Sequence, residues 1–152
     1  ADGYVMVFGN DFTSTSWYRE PAVGTSVTLT PGLTDSDTSG FPMEEITAMV
    51  SGGPRLVENG AICTTLEPGF QEARFTSAVT SRTALGKLAD GKLVIASTGS
   101  ASIQQLRELM LQLGCVEAVN LDGGGSTALA YQGKLIRSPG RELTTTLQIF
   151  TH

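Results

Sequence analysis

The stretch SRTALGKLADGKLVIAS, residues 81–97, decides what kind of fold this chain makes. Thr83-Ala-Leu-Gly-Lys-Leu88 and Lys92-Leu-Val-Ile-Ala96 are β-favouring runs on either side of the turn sequence Ala89-Asp90-Gly91. Two such runs around a short glycine-containing turn read as a β-hairpin. Downstream lies the chain's one long helical pattern, from about Ser102 to Leu113. Ser102 and Gln105 form a capping box, Ile103, Leu106, Leu109 and Leu113 recur on one face, and Gly114 stops the helix. Val116–Leu121 then reads as a strand leading into Asp122-Gly-Gly-Gly-Ser126.

Upstream, Arg55–Cys63 is a second hairpin around Asn59-Gly60, the strongest short turn signal. Thr127–Tyr131 and Lys134–Ile136 form a third, turned at Gln132-Gly133. Gly3–Gly9, residues 21–30 with Val27 and Leu29 alternating with threonines, and Ile46–Val50 are read as further strands. Arg141–Phe150 closes the chain as a β-favouring segment. Residues 11–20 are a loop with one helical turn, and the Pro- and Gly-rich residues 31–43 and the polar residues 68–81 are loops. Hairpins with one main helix (about 102–113) predict an α+β fold with a mixed, mostly antiparallel sheet. No repeat or linker interrupts residues 1–152, so a single domain is expected.

Composition narrows the function classes. The 152 residues are 40 % hydrophobic and 16 % charged, as in an ordinary globular protein. A net charge of −5 with scattered basic residues gives no concentrated field for nucleic acid. No apolar run approaches the roughly 18 residues of a membrane-spanning helix. Cys63, Cys115 and the single His152 lack metal-ligand spacing, so no metal site is expected. A Cys63–Cys115 disulfide and two free thiols are both compatible with the sequence.

The glycine loop after Leu121 is neither a Walker A loop, which needs Lys-Ser/Thr after its last glycine, nor a dinucleotide fingerprint, which opens a helix. No cofactor is therefore expected. Gly123, Gly124, Gly125 and Ser126 could present N–H groups to an anion, with Asp122 beside them at a strand end. Equally, Asp122 could simply cap its own turn. Gly52 and Gly53 in Ser51-Gly-Gly-Pro54 are either a second such cradle or a kink before the hairpin. Arg82 and Arg141 could clamp a phosphate or carboxylate, or lie on the surface. Trp17 and Tyr18 could stack on a sugar ring or pack in the core.

Four segments in order, SGGPRLVENGAI, SRTALGKLADGKLVIAS, the helix through LGCVEAVNLDGGGSTALAYQGKL, and GRELTTTLQIF, resemble the phosphodiester glycosidase (uncovering-enzyme) family. That family's pattern is GGP-x-L-V-x-[DN]-G, R-[TS]-A-x-G and NLDGGGS[TS], and the resemblance spans most of residues 1–150, strongest from 51 onward. Family domains begin further upstream, with a strand and an Asn-Gly-Gly-Phe-Phe-type motif that is absent here. The chain therefore reads as the C-terminal two-thirds of such a domain, its N-terminal part being an expected partner. The family often has an Asn near Thr145, which this chain lacks.

The resemblance implies hydrolysis of a sugar 1-phosphodiester, of the N-acetylglucosamine type, at the glycosidic bond. The substrate would be a phosphorylated sugar or glycan, or a cell-envelope polymer, met outside the cytoplasm. It implies catalytic roles for Asp122 and Arg82, and substrate binding by Gly52, Gly53, Thr83, Gly123, Gly124, Gly125, Ser126 and Arg141. A second carboxylate is not located by sequence; Glu45 and Glu142 are the candidates. A module that binds a phosphorylated glycan or cell-wall polymer without turnover would keep the same cradle, and a convergence of residues 52–54, 82 and 122–126 in one cleft is what either ligand-binding reading requires.

Overall fold

The computed structural model describes residues 14–16, 18–28 and 46–150. The chain divides into two compact units, 1–47 and 48–152, and the second holds all of the regular sheet structure described below. The expected strand over Gly3–Gly9, the loop at 31–43, Trp17 and Glu45 lie outside the described residues.

A five-stranded sheet forms from β1 (Arg55–Glu58), β2 (Ala61–Ile62), β3 (Thr80–Leu88), β4 (Leu93–Ala101) and β5 (Cys115–Leu121), in the order β2-β1-β5-β3-β4. Each pairing is antiparallel. The Asn59-Gly60 turn joins β1 to β2, with both residues at positive φ (51° and 75°), as a primed two-residue turn requires. The decisive hairpin is β3–β4, its tip closed by Leu88 N–H donating to the Lys92 carbonyl at 2.9 Å. A separate two-stranded ribbon, β6 (Leu129–Tyr131) with β7 (Lys134–Arg137), turns at Gln132-Gly133. The α+β fold with a mostly antiparallel sheet and one main helix is therefore present.

That helix, α2 (Ile103–Gln112), begins with the expected capping box: the Gln105 N–H donates to Ser102 Oγ at 3.1 Å, and the Ser102 N–H to Gln105 Oε1 at 2.9 Å. Gly114 ends it at φ +85°. Its buried face differs from the expected one: Ile103, Leu106, Arg107 and Met110 are buried, while Leu113 is exposed. The reason is angular. At about 100° per residue, Met110 returns to within about 20° of Ile103, whereas Leu109 lies about 120° away.

The helix packs on small residues of the sheet, Ala84, Ala96 and Ala118, and with Leu56, Val57 and Cys115 makes the core. Gly86 is one of those small positions, since a Cβ there would lie 2.6 Å from Cys115 Sγ and 2.7 Å from Met110 Cε. Cys63 and Cys115 are free thiols.

Four expectations are corrected. Residues 46–50 are not a strand, and Met49 and Val50 are exposed. Residues 21–28 are not one either: the Thr25 N–H bonds back to the Ala22 carbonyl around Gly24 at φ +90°, and Val27 is exposed. Arg141–Phe150 finds no strand partner among the described residues, and Leu147, Ile149 and Phe150 are exposed. In each case the composition favours β structure, but no neighbouring edge among the described residues pairs with the segment. The expected loop at 68–81 contains a one-turn helix, α1 (Ala73–Thr76), and the start of β3.

Candidate active site

The antiparallel register of β3 against β5 places Thr83 opposite Leu121. The entry to β3, with Arg82, therefore lies beside the exit from β5, with Asp122. The same end of β5 holds the segment before β1: the Gly53 N–H donates to the Asn120 carbonyl at 2.7 Å, and the Asn120 N–H donates to the Pro54 carbonyl at 3.1 Å. The Asn120 side chain adds a third link, Nδ2 donating to the Gly53 carbonyl at 2.8 Å. Three segments separated by dozens of residues are thus stitched at one end of the sheet.

Close approach explains two of the glycines. A Cβ on Gly52 would lie 2.7 Å from the Asn120 carbonyl oxygen, and one on Gly123 would lie 2.7 Å from that of Ser81. Both obstacles are main chain and cannot swing away. Gly123→Ala is accordingly expected to cost about 1–3 kcal/mol, seen as a lower thermal or urea midpoint; an unchanged midpoint would mean that the loop is not docked on β3.

Together these segments enclose a cleft of about 500 Å³, lined by Ser51, Gly52, Gly53, Arg82, Asp122, Gly123 and Gly124 with Phe70, Arg74, Phe75, Thr80, Asn120 and Leu121. Of the residues singled out from sequence, Gly52, Gly53, Arg82, Asp122, Gly123 and Gly124 converge there. Thr83, Gly125, Ser126 and Arg141 do not line it. Thr83 follows Arg82 on an extended strand, so its side chain leaves from the opposite face.

Arg141 and Ser126 still reach the site through Asp122. The Gly140 N–H donates to the Gly125 carbonyl at 2.8 Å, which lays the chain after β7 along the glycine loop. From there Arg141 Nε donates to Ser126 Oγ at 2.8 Å, and Nη2 lies 3.0 Å from Asp122 Oδ2. The Gly123 N–H donates to the other oxygen, Oδ1, at 2.9 Å. The Ser126 hydroxyl, that N–H and the Arg141 guanidinium hold the Asp122 carboxyl below the usual carboxylate range. Asp122 does cap its own loop, and as a result stands at the cleft as a firmly ionised carboxylate.

Arg82 is 4 % exposed. Its Nε donates to the Ala101 carbonyl at 3.2 Å, and Nη2 to those of Arg74 and Ala78 at 2.7 and 2.8 Å. Among the described residues no carboxylate pairs with it, and burial pushes its pKa down. The cradle of N–H donors is narrower than the sequence suggests. The N–H groups of Gly53, Gly123 and Ser126 are occupied within the protein, whereas those of Gly52, Gly124 and Gly125 have no protein partner among the described residues. No group of three His, Cys, Asp or Glu side chains among the described residues could hold a metal ion.

With this geometry in place, comparison with known proteins identifies the family. The phosphodiester glycosidase family matches residues 1–150. The chain belongs to that family.

Human N-acetylglucosamine-1-phosphodiester alpha-N-acetylglucosaminidase is 28 % identical over a 106-position alignment that covers 60 % of this chain and 21 % of that protein. The Mus musculus enzyme of the same name is 26 % identical over 113 positions, covering 64 % and 22 %. Among solved structures, the zebrafish N-acetylglucosamine-1-phosphodiester alpha-N-acetylglucosaminidase catalytic domain, auto-inhibited by its pro-peptide, superposes with a TM-score of 0.50 at 25 % identity. That match covers 69 % of this chain and 37 % of the zebrafish one. The chain spans about a fifth of the length of the curated relatives it matches.

Phe70, Arg74, Phe75 and Asn120 line the cleft without being singled out by the sequence. Asn120 stands immediately before the Leu-Asp-Gly-Gly-Gly run, a signal that was present. The α1 residues carry none, because 68–81 reads only as polar loop.

Proposed function

We propose that this cleft hydrolyses a sugar 1-phosphodiester at the glycosidic C1–O bond, in a phosphodiester glycosidase domain to which residues 1–152 contribute. One observation carries the reading: a buried arginine without a carboxylate partner among the described residues shares a glycine-lined cleft with an ionised aspartate. A buried cation is costly without a counter-charge, so a site of this kind favours an anionic ligand. The names of the matched relatives give that anion a chemistry, N-acetylglucosamine-1-phosphodiester. A phosphorylated glycan or a cell-envelope polymer met outside the cytoplasm is the corresponding natural substrate.

The leaving group is a phosphate, already a stable anion, so strong general-acid protonation is not needed. As the C1–O bond breaks, its electron pair goes to the phosphate oxygen and positive charge grows on the sugar ring. Asp122, held ionised, stabilises that oxocarbenium-like centre or orients the water that adds to C1. The N–H groups of Gly52 and Gly124 and the positive field of Arg82 face the phosphate. Water supplies the new C1–OH, and its remaining proton passes to solvent or to the phosphomonoester.

The full-length protein, incubated with a GlcNAc-1-phosphodiester, is expected to release free N-acetylglucosamine and a phosphomonoester. Saturable binding without release of sugar would instead establish the non-catalytic glycan-binding reading.

A further inference from the structure

Two cations line the cleft, Arg74 and Arg82, and they are placed in opposite ways. Arg82 is buried and gives three hydrogen bonds to main-chain carbonyls, one of them that of Arg74. It therefore fixes α1 against the start of β3 and has few donors to spare. The Arg74 side chain is 65 % exposed and its guanidinium carbon stands 5.0 Å from the centre of the Phe75 ring. Phe75 meets Phe70 edge-on, ring centres 5.0 Å apart at 80°, and Phe70 packs against Gly53, where a Cβ would lie 2.1 Å from its Cζ. A guanidinium over a ring anchored in this way is held at the cleft wall, with one nitrogen, Nη2, bonded to Glu72.

We propose that Arg74 is the substrate-capturing cation of the cleft: it exchanges Glu72 for the phosphate of the incoming ligand, while Arg82 positions the segment that carries it. The inference rests on the phosphodiester reading of the site. Arg74 contacts Glu72 through one nitrogen, Nη2 to Oε1 at 2.7 Å, and the Glu72 side chain is 61 % exposed. An exposed pair of this kind is worth only about 0–1 kcal/mol, so it yields readily to a better acceptor. A phosphate accepts two parallel N–H bonds from a guanidinium fork, more than the single contact it displaces. The charge sequence also suits turnover, since a phosphodiester carries one negative charge and the departing monoester up to two, so the attraction grows as the C1–O bond breaks.

The test uses the full-length protein and the variants Arg74→Gln, Arg74→Lys and Glu72→Gln. Both positions are exposed, so folded yield and thermal midpoint are expected to stay unchanged. With a GlcNAc-1-phosphodiester as substrate, Arg74→Gln is expected to raise KM about tenfold and to weaken competitive inhibition by inorganic phosphate by a similar factor, about 1.4 kcal/mol. Arg74→Lys should restore part of both, and Glu72→Gln should lower KM. Turnover by the wild type with wild-type KM and phosphate inhibition in Arg74→Gln would overturn the inference and leave the phosphodiester reading intact. Should the wild type show no turnover, the phosphodiester reading fails separately. Equilibrium binding of inorganic phosphate then decides: binding by the wild type that is lost in Arg74→Gln supports the role of Arg74, and equal binding, or none by either, overturns it.

Discussion

Arg82→Ala is expected to lose about 3 kcal/mol of stability and, where folded protein is recovered, tenfold to a thousandfold of the proposed phosphodiester glycosidase turnover. The stability term comes from three main-chain carbonyls, those of Ala101, Arg74 and Ala78, which lose their donors. A buried acceptor left unpaired costs about 1–3 kcal/mol. Relief from burying a cation offsets part of the sum, which keeps the expected net value near that of one to two lost partners. Urea unfolding followed by far-UV circular dichroism should show a midpoint lowered by more than about 1 M with little change in slope. Arg82→Lys separates charge from geometry. The ammonium keeps the positive charge but cannot span three carbonyls at fixed fork angles, so a stability loss close to that of alanine is expected. Wild-type stability in both variants would refute the bracing role of this residue.

Asp122→Asn is expected to behave in the reverse manner, with little change in stability and a drop of about a hundredfold to a thousandfold in kcat/KM. The side chain is 74 % exposed, and the amide keeps its size and one acceptor oxygen for the Gly123 N–H. What disappears is the negative charge beside the sugar. If turnover on a GlcNAc-1-phosphodiester survives this change, Asp122 is not the reacting carboxylate.

The pH profile is a second reading of the same group. The Ser126 hydroxyl, the Gly123 N–H and Arg141 depress the folded pKa of Asp122, so the ionised form is present throughout the range above the ordinary carboxylate value of about 4. Activity and the group's small contribution to stability should fall only as pH drops through the lower folded value. Ser126→Ala removes the largest of the three influences and should move the acid limb to higher pH.

Much of this is legible in the amino-acid sequence alone. The Ser102–Gln105 capping box, Gly114, Asn59-Gly60 and Gln132-Gly133 are local signals, decided by a few neighbouring residues, and each sits where expected. The segments at 21–28, 46–50 and 141–150 have strand-like composition, but pairing is a non-local event and their composition could not supply a partner. The site divides in the same way. The two glycine loops, Arg82 and Asp122 are flagged by residue type and motif order, and the β3–β5 register brings them together. Arg74 and Phe75 lie in the segment that Arg82 holds through the carbonyls of α1 and its flank, and Phe70 packs on Gly53, relations that leave no pattern in sequence. Arg82 reads from sequence either as an anion clamp or as a surface residue, and its burial shows that most of its donors serve the scaffold.

The β3–β5 pairing has one more consequence. Arg82 and Asp122 are separated along the chain by a hairpin tip, two whole strands and a helix, yet their spacing is dictated by a ladder of main-chain bonds at one end of the sheet. The tip at Ala89–Lys92 lies at the other end, about 20 Å away for seven extended residues. The two ends can therefore drift independently: sequence change, insertions or a grafted label at the tip leave the calibre of the cleft untouched, so one end of the sheet can diversify while the other stays fixed.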